Sequence, residues 1–522
     1  MSARAPTGRL RRAAGIILRP SDTPRSVYLV DRNADLAFFG GYAAFVGGTV
    51  DGGDEAIVPA DAPRHDDEPP AFLGAAARET FEETGVLVAR GADRLSPSRQ
   101  AQLRESLLAA PHSGASRVFR EMLAAENLEI DARRFSRVCR MTTPPFTLVR
   151  YETVFYLVDL LPGESPSIVP GELVSGAFLD ARDALARWRA GEMLIVPPAI
   201  ILLTMLARAD DAAPTEQFLD AARHLSAEYA RGKIHQVYFT PGVRKLTLHT
   251  ETRPPANHTN AYLVGERELH LVDPGATRAD EQEKLFEALD EAASDGARVT
   301  AILLTHHHPD HVGAVNVAAA RLGVPVWAHA ETARALAGRI EIAHHIADGE
   351  TISLGESPDG RPGWTLRAIH TPGHARGHLA FAESRYNALL AGDMVSTLST
   401  IVIAPPEGHL ATYLASLRRL RALPNGTLYP AHGPAKRDAH ATIDSYLRHR
   451  AQREEKLLSA WAGAPAESRL SLDALLARAY DDVAADALPL ARLSLAAGIE
   501  KLVEEGRVEA TADGYALRTA PR

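Results

Sequence analysis

Leu304-Thr-His306-His-His308-Pro-Asp310-His311 is the stretch on which the reading of this chain turns. It closes an apolar run, Ala301–Leu304, that reads as a strand, so the polar residues after it fall in a loop facing a cleft. Imidazole and carboxylate are the groups that first-row divalent metals accept, and here they crowd into a few consecutive positions. More candidates stand at the ends of later apolar runs: His370-Thr-Pro-Gly-His374, Leu390-Ala-Gly-Asp393 and Tyr429-Pro-Ala-His432. Any one of these histidines alone reads as an ordinary polar residue. The ordered set points to a metal centre.

Around this centre the chain is long, 522 residues, which predicts about three domains. Hydrophobic residues at 46% and charged residues at 24% allow each a real core. A net charge of −9 argues against a protein built on a basic nucleic-acid footprint. Cys139 is the single cysteine, so intramolecular disulfides are excluded and a reducing compartment is expected. The start, Met1-Ser-Ala-Arg-Ala-Pro, lacks the apolar core of a secretory signal. The apolar run Met193–Ala207 is broken by Pro197-Pro198 and predicts a buried helix rather than a membrane span. A cytoplasmic protein with no membrane partner is the expectation.

Three zones punctuate the chain: Ala209–Lys233, polar and alanine-rich; Ala462-Gly-Ala-Pro465, after a charged helix Thr442–Ala460; and Ile57–Pro70, which reads as an exposed loop insertion. Strands are expected at Ala13–Leu18, Val27–Asp31 and Thr153–Leu160, with a helix over Gly74–Thr84. Beyond His235, strands Ala261–Val264, Leu269–Val272 and Ala301–Leu304 alternate with helices such as Asp280–Ala293. The tail holds helical periods at Leu470–Tyr480 and Leu490–Glu505, then a short hairpin around Gly514, the outline of a winged helix. The predicted domains are 1–225, 235–452 and 453–522, a multidomain α/β and α+β chain.

The middle segment, from about Pro241 to Arg453, resembles the metallo-β-lactamase superfamily, whose motif is His-x-His-x-Asp-His followed by distant His, Asp and His. By that resemblance His306, His308 and His374 hold one metal, Asp310, His311 and His432 a second, and Asp393 bridges both, while His307 is left out. The resemblance implies two zinc or similar ions, an αββα sandwich and a shared water as nucleophile, with Asp310 orienting it. His378 reads as a residue behind the ligands or on the surface. Thr259-Asn-Ala-Tyr-Leu-Val264, Val272-Asp-Pro-Gly275 and Tyr446-Leu-Arg-His-Arg450 place the segment nearest the β-lactamase-like-protein-2 endoribonucleases and glyoxalase-II-type thioesterases. That superfamily spans thioesters, lactones, phosphodiesters and β-lactams, so the ligands alone do not name a substrate.

In the first unit, Arg78-Glu79-Thr-Phe-Glu82-Glu83-Thr-Gly85 places three carboxylates on one helix face. Taken alone, this is either a Mg²⁺ site or a solvated acidic face. With Gly47-Gly48-Thr-Val-Asp51 before it, the segment resembles the Nudix box, within a chain region (about 10–225) similar to coenzyme A diphosphatases at Thr142-Thr-Pro-Pro145 and Arg150-Tyr-Glu-Thr-Val-Phe155. The resemblance implies an α/β/α sandwich, Mg or Mn on Glu79, Glu82 and Glu83, and Glu83 as a catalytic residue. Asp54 stands where the family has its first Glu, 23 residues separate it from Arg78, and Thr80 replaces an aliphatic residue. A scaffold kept for binding is the alternative.

The winged helix would ordinarily suggest nucleic acid, yet residues 461–522 carry seven Arg or Lys against ten Asp or Glu. A packing or dimerisation module is favoured over RNA binding. The expected function is a dinuclear metal hydrolase cutting a thioester or phosphodiester-type bond, fused to a Nudix diphosphatase acting on CoA or nucleoside diphosphate derivatives. The alternatives are an endoribonuclease on single-stranded RNA and a hydrolase with a catalytically dead Nudix scaffold.

Overall fold

The computed structural model describes residues 10–36, 39–59, 62, 68–144, 149–233, 235–462 and 468–518. They divide into two compact units, one ending at Pro241 and one beginning at Gly242.

The first unit is built on two sheets. One has the order Val46–Thr49, Leu10–Pro20, Arg150–Leu160, Ser136–Thr142, and its two central strands run parallel. The other pairs Ala43–Ala44, Ser26–Arg32 and Leu173–Asp180. Successive side chains on a strand point to opposite faces, and the central strands use both. Ile16, Leu18, Val154, Tyr156 and Val158 join Phe72 and Phe81 of the helix Ala71–Thr84 in one core. Ile17, Phe155 and Leu157 join Leu185, Ile200, Leu203 and Phe218 in another. Burying each of these large apolar side chains stabilises the fold by about 1.5–3 kcal/mol. Strands apolar on both faces are what a sheet covered by helices on both sides requires.

The helix Ala71–Thr84 stops at Gly85, whose φ of 75° only glycine adopts freely, and whose N–H bonds Phe81 O. Thr80, which departs from the aliphatic residue of the box, is fully buried, and its hydroxyl donates to Ala76 O at 2.6 Å. The polar group is satisfied inside the helix, so the position stays compatible with the core.

Several sequence expectations are corrected. Of the loop expected to be exposed at Ile57–Pro70, residues 60, 61 and 63–67 lie outside the described residues. The described parts are anchored: Ile57 and Ala62 are buried, and Glu68 accepts from Arg137 Nε at 2.7 Å and from the Tyr156 hydroxyl. Ala209–Lys233, expected as a separator, contains the helix Pro214–Ala230, which buries Phe218 and Ala222. Met193–Ala207 forms a helix only from Pro197, running to Arg208, because proline tolerates the first helical turn but not the interior. Pro145 and the 463–467 stretch of the second punctuation zone also lie outside the described residues. No helix among the described residues is long and apolar enough to cross a membrane.

In the second unit, one sheet runs in the order Val243–His249, His258–Val264, Glu268–Val272, Arg298–Leu303, Val326–Ala328, His344–His345. A second runs Thr351–Gly355, Trp364–His370, Leu379–Glu383, Leu389–Gly392, Leu428–Pro430. Asn260 of the first sheet ties the end of the second, donating from Nδ2 to Pro430 O and Gly433 O, both at 2.8 Å. Helices Leu410–Arg421 and Ala439–Ser459 cover the second sheet through Tyr413, Leu417, Ile443 and Tyr446. The chain ends in helices Leu472–Ala479 and Leu488–Glu504 and a hairpin, Val508–Thr511 with Gly514–Leu517. Its small core, Leu475, Leu495, Ile499, Leu502 and Val508, is continuous with Leu457 and Trp461 at the end of the long helix.

Candidate metal centre

Four strands of the second unit end on one rim: Arg298–Leu303, Trp364–His370, Leu389–Gly392 and Leu428–Pro430. The segments that leave them carry His306 to His311, His374, Asp393 and His432. Gly275 makes the rim possible, because a Cβ there would collide with the carbonyl oxygen of Asp310.

His306, His308, His374 and Asp393 each place one ligand atom within 4.8 Å of the others, and so do Asp310, His311 and His432. In the first group the converging atoms are His306 Nε2 and His374 Nε2, at 2.9 and 3.0 Å from His308 Nδ1. Asp393 stands between the groups. Its Oδ2 lies 3.3 Å from His374 Nε2, while Oδ1 lies 3.3 Å from His432 Nε2 and 3.7 Å from His311 Nε2.

A cation fits this arrangement on two observations. His311 Nε2 and Asp393 Oδ1 are buried and make no hydrogen bond, an arrangement that costs free energy unless something else satisfies them. Three ring nitrogens also converge in the first group, with His306 Nε2 and His374 Nε2 both within 3.0 Å of His308 Nδ1, the donor set that a divalent cation accepts. Burial, then the neighbouring His311, His308 and His374, holds His306 well below the ordinary imidazole range, and burial brings His374 down to about 4. Both are therefore neutral, as metal ligands must be. Burial opposes charge on His311 as well, but Asp310, Asp273 and Asp393 outweigh it and push it up to about 10. The carboxylates on that side call for positive charge.

The outer ring nitrogens are held by groups that the sequence did not single out. His311 Nδ1 donates to Asp273 Oδ2 at 2.9 Å, and His306 Nδ1 meets Thr305 Oγ1 at 2.9 Å, itself bonded to Asp273 Oδ2 at 2.6 Å. His374 Nδ1 donates to Val402 O at 3.1 Å and His432 Nδ1 to His258 O at 2.8 Å. Asp273 holds a positive φ of 50°, a left-handed conformation that few non-glycine residues adopt. Its presence in Val272-Asp-Pro-Gly275 was the one available signal. His378 proves to be fully buried behind the ligands: its Nδ1 meets Thr371 Oγ1 at 2.8 Å and its Nε2 accepts the backbone N–H of Asp393 at 3.0 Å. His307 lies outside both ligand groups and pairs with Glu407 at 2.9 Å.

The acidic helix of the first unit is organised differently. Arg78 is its hub, donating from Nε and Nη2 to the two oxygens of Asp54 at 2.9 and 3.1 Å, and from Nη1 to Glu79 at 2.8 Å and Glu82 at 3.1 Å. Asp54 is fully buried, so the residue that departs from the family's glutamate still tethers the arginine. Glu83 accepts the Gly47 N–H at 2.8 Å, and a Cβ on Gly48 would collide with the Glu79 carboxylate. Burial raises the Glu79 carboxyl to about 7 and lifts Glu83 well above its usual range. Glu79, Glu82 and Glu83 are thus neighbours on one face, but among the described residues they do not assemble a three-ligand group as the histidines do.

Two family models match the second unit. A family model described as the metallo-beta-lactamase superfamily matches residues 254–432, and one described as the beta-lactamase associated winged helix domain matches 471–516. The lactamase-like protein adaB of Aspergillus niger is 32% identical over 207 residues, covering 39% of this chain and 58% of that protein. The atrochrysone carboxyl ACP thioesterase of Aspergillus fumigatus is 30% identical over 204 residues, covering 38% of this chain and 43% of the thioesterase. The chain thus spans about half the length of these relatives. A NUDIX hydrolase structure from Alicyclobacillus acidocaldarius is 28% identical, with a TM-score of 0.35, covering 41% of this chain and 98% of that one. The chain therefore carries a metallo-beta-lactamase domain and, after it, a small winged-helix domain.

Proposed function

We propose that this chain is a dinuclear metal-dependent hydrolase whose second unit cleaves thioesters. The observation that carries the reading is Asp393, whose two carboxylate oxygens divide between the two ligand groups. His306, His308 and His374 would hold one cation, Asp310, His311 and His432 the other, with Asp393 shared. Divalent cations such as zinc in these groups supply Lewis-acid polarisation of the scissile carbonyl and activate water at neutral pH. The chain's own part is to present neutral imidazole lone pairs, to keep Asp273 on His311 and His378 behind Asp393, and to aim Asp310. The Asp310 carboxylate, with Oδ2 3.6 Å from His432 Nε2, is placed to orient the attacking water and accept its proton. A thiolate leaves with little need of protonation, so no separate general acid is required.

The thioesterase among the similar proteins supports this bond class over phosphodiesters. RNA cleavage calls for a groove tracking phosphates with Lys and Arg. In the winged helix Lys501 is paired with Glu454 and Glu505, and Arg507 with Glu454. Its longest helix, Leu488–Glu504, sends Ala497 into the core beneath Leu410–Arg421, so that face is not free to enter a groove.

For the region 1–225 the proposal is a Nudix-type unit, with 235–452 and 453–522 as the hydrolase and winged-helix segments. A scaffold role is favoured by one observation: Arg78 engages both Glu79 and Glu82, the carboxylates expected to bind Mg or Mn. A diphosphatase acting on CoA remains the sequence-based alternative.

The test is metal analysis followed by hydrolysis of an acyl-CoA panel, nitrocefin, CoA and single-stranded RNA at matched enzyme concentration. About two equivalents of metal and thioester cleavage lost in His306→Ala support the reading. Faster RNA cleavage, lost in the same variant and strongly weakened by salt, overturns it. Magnesium-dependent CoA cleavage lost in Glu83→Gln, with thioester cleavage kept, would make the first unit an enzyme.

A further inference from the structure

Five histidines face the proposed metal centre, and four have their outer nitrogen held within 3.1 Å: His306 by Thr305, His311 by Asp273, His374 by Val402 O and His432 by His258 O. His308 is the fifth, and it is turned the other way. Its Nδ1 points inward, 2.9 Å from His306 Nε2 and 3.0 Å from His374 Nε2, so its outer atom is Nε2. The group facing that atom is the carboxylate of Glu407, with Oε2 at 3.6 Å. The other oxygen of Glu407, Oε1, lies 2.9 Å from Nε2 of His307. His307 Nδ1 is buried with no hydrogen-bond partner, which places the ring proton on Nε2, toward Glu407.

Glu407 stands on a braced turn. Gly408 N donates to Ala404 O and His409 N to Gly373 O, both at 2.8 Å, and Arg376 reaches Pro406 O at 3.3 Å. The turn is therefore pinned to the loop that carries His374. A carboxylate held this way can fix the tautomer and orientation of a ligating histidine and raise its basicity.

We infer that Glu407 is a positioning residue for His308, held in place by His307, so that the histidine excluded from the ligand set serves the centre through the carboxylate. This rests on the dinuclear reading above. With a cation on Nδ1, the His308 proton sits on Nε2, and a small closure of the 3.6 Å gap makes the hydrogen bond. Glu407 lies outside the two groups proposed to hold the cations.

The experiment measures zinc affinity of the full chain by chelator competition, together with the visible spectrum of the cobalt(II)-loaded protein. Glu407→Ala should lose affinity by about 10–100-fold and alter the cobalt bands. Glu407→Gln keeps an acceptor oxygen and should recover most of the loss, and His307→Ala should fall between them. Glu407 is partly exposed, so these variants are expected to fold, which circular dichroism checks. Wild-type affinity and spectrum in Glu407→Ala would overturn the inference while leaving the dinuclear reading intact. Failure of wild type itself to bind metal overturns both. Three ions per chain in wild type, falling to two in Glu407→Ala, would overturn the positioning role in favour of a third cation held by His307, His308 and Glu407.

Discussion

Asp273 and His311 share a buried hydrogen bond of 2.9 Å between Oδ2 and Nδ1, across 38 positions of sequence. The same carboxylate accepts Thr305 N at 2.8 Å and the Thr305 hydroxyl at 2.6 Å. One side chain therefore orients His311 directly and His306 through Thr305, one residue in each ligand group. Asp273→Asn suits the left-handed backbone but replaces an acceptor by a donor. Metal affinity should fall by about 10–100-fold with the fold kept. Chelator titration beside circular dichroism checks this, and unchanged affinity would remove Asp273 from the assembly.

Asp393→Ala should cost more metal than loss of any single histidine. It removes an oxygen from each group and leaves two cations to repel each other across the site. Metal content after dialysis, compared with His374→Ala and His432→Ala, decides the point. Near-wild-type content in Asp393→Ala would break the ligand assignment.

Arg78→Met tests the hub of the first unit. The substitution strands Asp54, a fully buried carboxylate that takes two hydrogen bonds from the guanidinium. Removing one partner of a buried ion pair costs about 3–5 kcal/mol. Urea unfolding followed on the first unit should show a loss of that order. A loss under about 1 kcal/mol would mean the pair contributes little, and that Glu79 and Glu82 are held by something else.

Lys245 gives a pH-dependent prediction away from both sites. Burial in the strand Val243–His249 brings its amine from the ordinary 10.5 down to about 7. Below about pH 7 both folded and unfolded chains carry the proton, and the folded state holds the charge buried. Between about 7 and 10.5 the folded state releases the proton before the unfolded state does, so stability rises with pH through that window. Lys245→Met cannot titrate, so wild type should gain stability relative to it as pH rises from about 7 toward 10. Chemical unfolding of both proteins from pH 6.5 to 9.5 reads this directly, and a difference between them independent of pH contradicts it.

The sequence by itself determined the regular elements and the identity of the candidate ligands. Apolar runs with period two or a helical period carry their own signal, so the strand Arg298–Leu303 and the helix Ala279–Ser294 fall within a few residues of expectation. The candidate ligands were legible because they follow the ends of apolar strands, and because four of them, His306, His308, Asp310 and His311, fall within six residues. The proline at Pro197 marked the true start of its helix, but the apolar run around it hid that. What the tertiary structure decided was everything held by a second layer of contacts. Asp273, the His258 carbonyl, His378 and Glu407 lie in separate stretches of chain, and only the tertiary fold brings them behind the histidines. Local sequence carries no record of such pairs, since a hydrogen bond between distant segments leaves no periodicity in either. For the same reason the acidic helix, with Arg78 as a tether to its loop, could be read from its spacing, while the anchoring of Arg78 on the buried Asp54 emerged only once the chain between them was folded back.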